Sequence, residues 1–399
     1  MSALGLLGEI ADVGRDRVRG GYSRHAFDPA EGELRTWFTE QAERRGLDVE
    51  TDRNGNLWAW WGTPGPDALV TGSHLDSVPG GGAFDGPLGV VSALDAVAAL
   101  RAEGFRPRKP LAVLVFAEEE GGRFGVPCLG SRLLTGSIDA DRARALRDPD
   151  GVTLAEAASR AGFEPERFGR DDLALSRIGT FLELHVEQGK GLIDLGSPLA
   201  VGSTVIAHGR WRFSFSGQGN HAGATVMGDR HDPMIPAAAV VAAARRVASK
   251  VEGARATVGR LVPRPGGTNV IASTVDVWLD ARVTGEDRVR PLVDEIAGIA
   301  GEAAAEEGCA VQLSEESYSG TVAFDAGLRG RLGDLLGGVP ELPTGAGHDA
   351  AILSGHVRAG MLYVRNPTGI SHAPEEFAED DDVERGARAL ADVLRNLST

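Results

Sequence analysis

Several short segments of this chain carry residues able to bind divalent cations or to move protons. The first is Gly72-Ser73-His74-Leu75-Asp76-Ser77, followed closely by Gly80-Gly81-Gly82-Ala83-Phe84-Asp85-Gly86. Two residues apart in extended chain, His74 and Asp76 can share a face. Asp76 could then accept the proton on the imidazole nitrogen turned away from a metal, which fixes the tautomer. The intervening glycines let the loop fold back so that Asp85 approaches the same point. The plain alternative is a solvated loop in which Asp85 caps the helix that follows. Next comes Glu118-Glu119-Glu120-Gly121-Gly122-Arg123-Phe124, where adjacent carboxylates repel one another unless cations or protons intervene. The third segment is His185-Val186-Glu187-Gln188-Gly189, with His185 and Glu187 on one face if the strand continues. Gly369-Ile370-Ser371-His372-Ala373-Pro374-Glu375 and Gly345-Ala346-Gly347-His348-Asp349 complete the set. Singly, each histidine is an ordinary structural residue. Together, His74, Asp85, a glutamate near 119–120, His185 and His372 suit two divalent metals sharing a carboxylate. The absence of thiolates from this group argues for a catalytic site over a structural zinc knot.

A second group lies between these segments. Gly219-Asn220-His221-Ala222-Gly223 is followed by Thr268-Asn269-Val270 and by Leu279-Asp280-Ala281-Arg282. An arginine fork is a natural receptor for a substrate carboxylate. Against that stands an ion pair of Arg282 with Asp280 or Glu286, which is the commoner fate of such a residue.

The elements that must position these residues are readable from hydrophobic periodicity. Ala68 to Ser73, Leu111 to Ala117 and Ile178 to Val186 are short continuous apolar runs. The helical spacing of Pro87 to Glu103 falls between the first two. Strands alternating with helices predict a helix-covered sheet, with ligands at the strand ends. From about Val205 to Tyr318 the order changes to β-α-β-β-α-β, the split pattern of ferredoxin-like sandwiches. The expected organisation is a larger α/β domain over 1–204 and 320–399, interrupted by a small domain over 205–319.

Composition bounds the function. Of 399 residues, 41 are Lys or Arg and 57 are Asp or Glu, a net charge of −16 that argues against general nucleic-acid binding. The apolar fraction of 42% is ordinary for a folded protein. The apolar stretch Leu111 to Ala117 is far too short to span a membrane. Two cysteines, Cys128 and Cys309, form no disulfide framework, and the N-terminus does not resemble a signal peptide. A cytoplasmic location with no membrane partner is the expectation.

These motifs, in this order, resemble the amidase/hydantoinase/carbamoylase branch of the dinuclear-metal aminoacylase and carboxypeptidase superfamily. That branch includes allantoate amidohydrolases, N-carbamoyl-L-amino-acid hydrolases and β-ureidopropionases. The resemblance runs from about Gly20 to Asp380 through GSHLDSVPGGGAFDGPLGV, EEGGRF, HVEQG, HAGATVM, TNVI, GAGHDA and GISHAPEE. It implies an α/β domain with a ferredoxin-like lid and dimerisation domain. It further implies that His74 and His185 bind one metal each, that Asp85 bridges both, and that Glu120 and His372 bind the second. Glu119 becomes the catalytic base, with Asp76 behind His74 and His348 in a supporting role. Gln188, His221, Asn269 and Arg282 would contact substrate, with His221 assisting catalysis. Two divalent ions per subunit are implied, zinc or manganese first and cobalt or nickel as alternatives. A homodimer is also implied, lid residues completing the neighbouring active site. The lid loop His-Ala-Gly-Ala-Thr-Val-Met, Lys190 after Gln188-Gly189, and Arg264 near Thr268 depart from the usual family pattern, all toward the substrate end.

The expected substrate is a small carboxylate bearing a ureido or amide group. Allantoate comes first, with N-carbamoyl- or N-formyl-L-amino acids as the alternative. A non-catalytic metal-binding scaffold is the reading from a different class.

Overall fold

A computed structural model describes residues 2–399, apart from the side chain of Glu286. The chain forms two compact units, Met1–Thr204 with Ala323–Thr399, and Val205–Val322. In chain order the strands of the first stretch are β1 (Asp48–Thr51), β2 (Leu57–Trp61), β3 (Ala68–His74), β4 (Leu111–Phe116), β5 (Ile178–Val186) and β6 (Leu199–Val205). The inserted stretch holds β7 (Ala207–Ser216), β8 (Asn220–His221), β9 (Arg255–Arg264), β10 (Val270–Ile271), β11 (Thr274–Val283) and β12 (Ala310–Ser319). The last stretch adds β13 (Val322–Ala323), β14 (Glu341–Thr344) and β15 (Arg358–Val364).

The main sheet runs β1-β2-β4-β3-β5-β15-β6-β13, with β14 beside β6. Its centre is parallel: β3 pairs with β4 and β5, and β5 with β15. Its flanks are antiparallel, β2 on β4 and β6 on β15. Every residue of β3 and β4 is buried. Continuous apolar runs are what a sheet covered on both faces demands, since neither side of the strand meets water. The helix Pro87–Ala102 starts at Gly86, whose φ of +83° favours glycine, and places proline in its first turn. It packs with the C-terminal helix Asp380–Leu397 in one apolar core that includes Leu94, Val97, Leu182, Leu390 and Leu394.

The parallel centre decides where chemistry is possible. His74 lies level with Phe116 in the register, Gly72 with Glu183, and Tyr363 with His185. His74, the loop after Phe116, His185 and the loop after Val364 therefore emerge at one edge of the sheet, the carboxyl edge where ligands gather in such folds.

The inserted unit is a four-stranded antiparallel sheet in the order β12-β7-β11-β9, with the helices Met234–Ala248 and Val289–Glu306 between strands. This is the β-α-β-β-α-β order of a ferredoxin-like sandwich. β7 alternates buried with less buried residues, as a sheet with one covered face requires. Phe213, Phe215, Val277 and Leu279 meet Val240, Val247, Leu292 and Ile296 of the helices in a separate core. Among the described residues, no helix is long and apolar enough to cross a membrane.

Candidate active site

At the carboxyl edge, two groups of side chains share one residue. His74, Asp85 and His185 offer ligand atoms within 4.8 Å of one another, and so do Asp85, Glu120 and His372. His74 Nε2 is 3.5 Å and His185 Nε2 3.3 Å from Asp85 Oδ1. His372 Nε2 is 3.5 Å from Asp85 Oδ2 and 3.2 Å from Glu120 Oε2. Asp85 thus turns one carboxylate oxygen to each group.

The tautomers follow from the other ring nitrogens. His74 Nδ1 lies 3.0 Å from the Asp76 carbonyl, and His185 Nδ1 2.9 Å from the Val186 carbonyl. A carbonyl only accepts, so each Nδ1 carries a proton, and the neutral form of each ring, the form that binds a metal, presents its lone pair at Nε2. Both Nε2 atoms are buried and have no hydrogen-bond partner. Lone pairs facing a carboxylate inside a protein call for a cation between them. Mixed imidazole and carboxylate donors suit first-row divalent ions. The residues therefore fit a dinuclear metal site.

Asp76 departs from expectation in detail. Its carbonyl, not its carboxylate, holds His74; the carboxylate is 3.6 Å from the ring nitrogen. β3 ends at His74, so Asp76 has left the strand geometry that would have aligned the two side chains. Its carboxylate instead accepts the backbone N–H groups of Glu119 and Glu120, each at 3.1 Å. Asp76 thereby anchors the acidic turn against the His74 strand.

That anchoring separates the three glutamates. Glu118, with φ +52°, turns inward and accepts the N–H groups of Arg123 and Phe124 at 3.1 and 2.8 Å. Glu119 Oε2 lies 3.5 Å from His74 Nε2, while its Oε1 accepts the Cys128 thiol at 3.4 Å. Glu120 faces His372. Burial raises the pKa of Glu119 well above its usual range against the pull of His74, with Asp349, Glu120 and Glu183 adding to the rise. Burial likewise raises Glu120, and burial with Asp76 pushes Glu118 to about 8. Burial works to lower His74, but the Glu119, Asp76 and Asp85 carboxylates outweigh it and hold the ring well above its usual value. Contact with Glu120 lifts His372 to about 9. Asp85 is opposed by burial yet held well below the carboxylate range by His185 and His74. So many buried groups with conflicting charge preferences are typical of a functional site.

Gln188 donates its side-chain amide to Asp85 Oδ2 at 2.7 Å. Glu187, its neighbour, accepts the N–H groups of Gly191 and Leu192 at the start of a short helix and takes no part in the cluster. His348 is 1% exposed, its ring 4.6 Å from that of His185, and neither of its nitrogens has a hydrogen-bond partner. With Glu183 and His185 it forms a further possible metal group. His185 already commits Nδ1 to Val186, so both groups draw on the same Nε2 lone pair and exclude each other at that residue.

Sequence reasoning missed the polar layer beneath. Glu183, fully buried in β5, accepts the Ser73 hydroxyl at 2.8 Å and the Ala350 N–H at 3.1 Å. Asp349 accepts the Ser131 hydroxyl. The available signal was a charged residue inside the apolar run Ile178–Val186. Glu376 was also missed, although it ends a motif already singled out.

The inserted unit carries the remaining candidates. β8 and β10 pair His221 with Val270, and the Ala222 N–H bonds the Asn269 carbonyl at 3.0 Å, so His221 and Asn269 are neighbours. His221 Nδ1 accepts the N–H groups of Gly223 and Ala224 at 3.0 and 3.1 Å. That fixes the neutral tautomer with its proton on Nε2, a donor on an exposed ring. Arg282 on β11 grips Asp280 by a fork, Nε to Oδ1 at 2.7 Å and Nη2 to Oδ2 at 3.0 Å. This is the ion pair weighed against substrate binding; the other partner considered, the Glu286 side chain, lies outside the described residues.

The chain is similar to known proteins over most of its length. The model of Peptidase family M20/M25/M40 matches residues 70–396. An N-carbamoyl-L-amino acid amidohydrolase of Geobacillus stearothermophilus is 35% identical over 401 residues, covering 98% of this chain and 96% of that protein. An allantoate amidohydrolase of Bacillus subtilis is 31% identical over 360 residues, covering 88% and 87%. A crystal structure of an amidase of the hydantoinase/carbamoylase family from Burkholderia vietnamiensis superposes with a TM-score of 0.89 at 27% identity, covering 99% of this chain and 96% of that one.

Proposed function

The chain belongs to peptidase family M20/M25/M40, in its hydantoinase/carbamoylase amidase branch, and from that premise we propose that it hydrolyses the ureido group of a small carboxylate. N-carbamoyl-L-amino acids come first among substrates. The relative of that name is the more similar of the two compared, 35% against 31%, and spans more of the chain, 98% against 88%. Allantoate, ranked first on motifs alone, becomes the second candidate. One observation carries the reading: two ligand groups joined at Asp85, with the Glu119 carboxylate 3.5 Å from His74 Nε2.

His74 and His185, expected to take one metal each, would instead share one divalent ion with Asp85, and Asp85, Glu120 and His372 would hold the other. Zinc or manganese is the first choice, cobalt or nickel the next. Bound there, such ions supply Lewis acidity toward a carbonyl oxygen and make water more acidic. Glu119 takes a proton from the attacking water and returns it to the leaving nitrogen as the C–N bond breaks. The carboxyl holds that proton between the two steps, acting first as base and then as acid. The carbamate left behind loses carbon dioxide, so each ureido group and one water yield ammonia, carbon dioxide and the free amine of the substrate. His221 donates its Nε2 proton to the developing oxyanion. Arg282 receives the substrate carboxylate and Asn269 orients the ureido group. Gln188, held by Asp85, lines the substrate side. Because His221, Asn269 and Arg282 belong to the inserted unit, turnover requires that unit to be brought to the metal groups, by its own chain or by a partner in a homodimer.

The test is a panel of ureido and N-acyl carboxylates on metal-reconstituted protein, read as ammonia release. Hydrolysis of N-carbamoyl-L-amino acids ahead of allantoate is the expected result. Turnover of allantoate alone would reverse the order, and inertness toward every ureido compound would end the reading.

A further inference from the structure

The loop that carries His372 has few means of holding its place. His372 itself is 49% exposed and adopts φ +59°, a backbone state that non-glycine residues enter only at a cost. Asn366 braces the start of the loop from within, accepting the N–H groups of Thr368 and Gly369 and donating to the Ile370 carbonyl. That brace does not reach the Asp85 loop, yet the Asp85–Glu120–His372 group needs the two loops in register to within a few tenths of an ångström.

Glu376 makes that connection. It is 4% exposed. Its Oε1 accepts the backbone N–H groups of Phe84 and Asp85, each at 2.9 Å, across 291 residues of chain in the second case. Its Oε2 lies 3.2 Å from the Ser371 hydroxyl, which is also 2.9 Å from Asp85 Oδ2. One carboxylate therefore ties the backbone on which Asp85 is mounted to the residue preceding His372. The fit is close: a Cβ on Gly82 would stand 2.2 Å from Glu376 Oε1, so glycine there makes room for the carboxylate. The Phe84 and Phe377 rings meet edge to face nearby, an apolar contact between the same two loops with less directional control.

We propose that Glu376 is a positioning residue that locks the Asp85 loop to the His372 loop and thereby sets the affinity for the second divalent ion. The inference rests on the reading of the cluster as a dinuclear metal site. Charge-assisted bonds to backbone N–H groups are short and directional, and loss of such supporting bonds weakens metal binding by about 10–100-fold. Glutamine keeps an oxygen that can accept both N–H groups, whereas alanine keeps nothing.

Metal-free protein is titrated with Mn²⁺ alone, by calorimetry, with folding of each variant checked by circular dichroism. Wild type is expected to bind two ions. Glu376→Ala is expected to weaken the second ion about 10–100-fold and the first by less, with Glu376→Gln restoring most of the loss. Equal losses in Glu376→Ala and Glu376→Gln would mean that charge, not positioning, matters, and would overturn the inference. So would wild-type affinity in Glu376→Ala, while leaving the dinuclear reading intact. If Glu376→Ala does not fold, Gly82→Ala displaces the carboxylate without removing it and should weaken the second ion similarly; unchanged affinity there overturns the inference as well. A wild-type chain that binds fewer than two ions would bring down the dinuclear reading and this inference with it.

Discussion

The two units hold their chemistry in opposite ways. In the large unit the candidate groups are crowded and their polar atoms face one another: His74, Asp85 and His185 are at most 4% exposed, and the Nε2 atoms of the two histidines have no partner. In the inserted unit His221 and Arg282 are more accessible and already have local partners. His221 is braced by two backbone N–H groups, and Arg282 by Asp280. Burial without partners is costly and persists only where something else, an ion, completes the set. Exposure with local partners costs little and leaves groups that can change partners when a substrate arrives. On the proposed function, that difference assigns permanent occupants to one unit and transient ones to the other.

Removing the permanent occupants should have the largest effect. Chelation is expected to abolish ureido hydrolysis, and Mn²⁺, Zn²⁺, Co²⁺ or Ni²⁺ to restore it. Turnover by protein shown free of metal by elemental analysis would break the comparison outright. Next in size is Glu119→Gln, expected to lower kcat by about 10²–10⁴-fold, the usual worth of a general acid–base group. Two bound metals should remain, because Glu119 belongs to neither three-residue ligand group. Loss of metal along with activity would make Glu119 a ligand instead of a base.

Substitutions in the inserted unit should act on binding more than on turnover. Arg282→Ala is expected to raise KM by about 10–100-fold, the worth of a charge-assisted fork, with a smaller change in kcat. Asp280→Ala sharpens the point. If Arg282 exchanges Asp280 for a substrate carboxylate, removing Asp280 should lower KM or leave it unchanged. If the pair serves only the fold, both variants should lower the melting temperature and leave KM alone. Steady-state kinetics with a calorimetric melt separates the two outcomes.

The elements of both units were legible in the sequence, and the contacts of individual oxygens were not. The metal-facing residues stand at the ends of continuous apolar runs, so strand, turn and ligand are written side by side at His74, at Glu118–Glu120 and at His185. The β-α-β-β-α-β order of the inserted unit was equally plain, because its strands alternate and its helices are long. What the sequence did not disclose is which oxygen does what. Asp76 reaches Glu119 and Glu120 with its carboxylate because the strand stops at His74, and strand ends carry no sharp signal. Three consecutive glutamates divide into a loop staple, a base candidate and a ligand candidate only once Glu118 takes a positive φ. Glu376 and Glu183 bond groups far away in the chain, and long-range bonds leave no local spacing to read.

The smallest expected effect is a slope. In metal-free protein, burial pushes Glu118 to about 8 and Glu376 to about 7, and contact with Glu120 lifts His372 to about 9. All three are raised, so the native chain binds more protons than the unfolded chain between the ordinary and the raised values. Stability then falls as pH rises. The contribution of the two acids is complete below about pH 4.5 and that of His372 below about 6.5; each is lost as pH passes through its raised value. Asp85 and His348 have the opposite sign, but Asp85's contribution disappears only below the ordinary carboxylate range and His348's is complete by about its ordinary value of 6.5, so neither opposes the fall above that pH. In the inserted unit the shifts among the described residues are a lowered Asp276, which acts only in acid, and a raised Cys309, whose ordinary value is already 9.0. The melting temperature of the metal-free chain should therefore drop by a few degrees from about pH 6 to about pH 9, and the drop should originate in the large unit. A saturating divalent ion needs its ligands deprotonated, so it should raise the melting temperature more at pH 9 than at pH 6 and flatten the slope. A melting temperature that climbs with pH in the absence of metal would show that the buried cluster is already balanced, and the contrast between the units would lose its electrostatic basis.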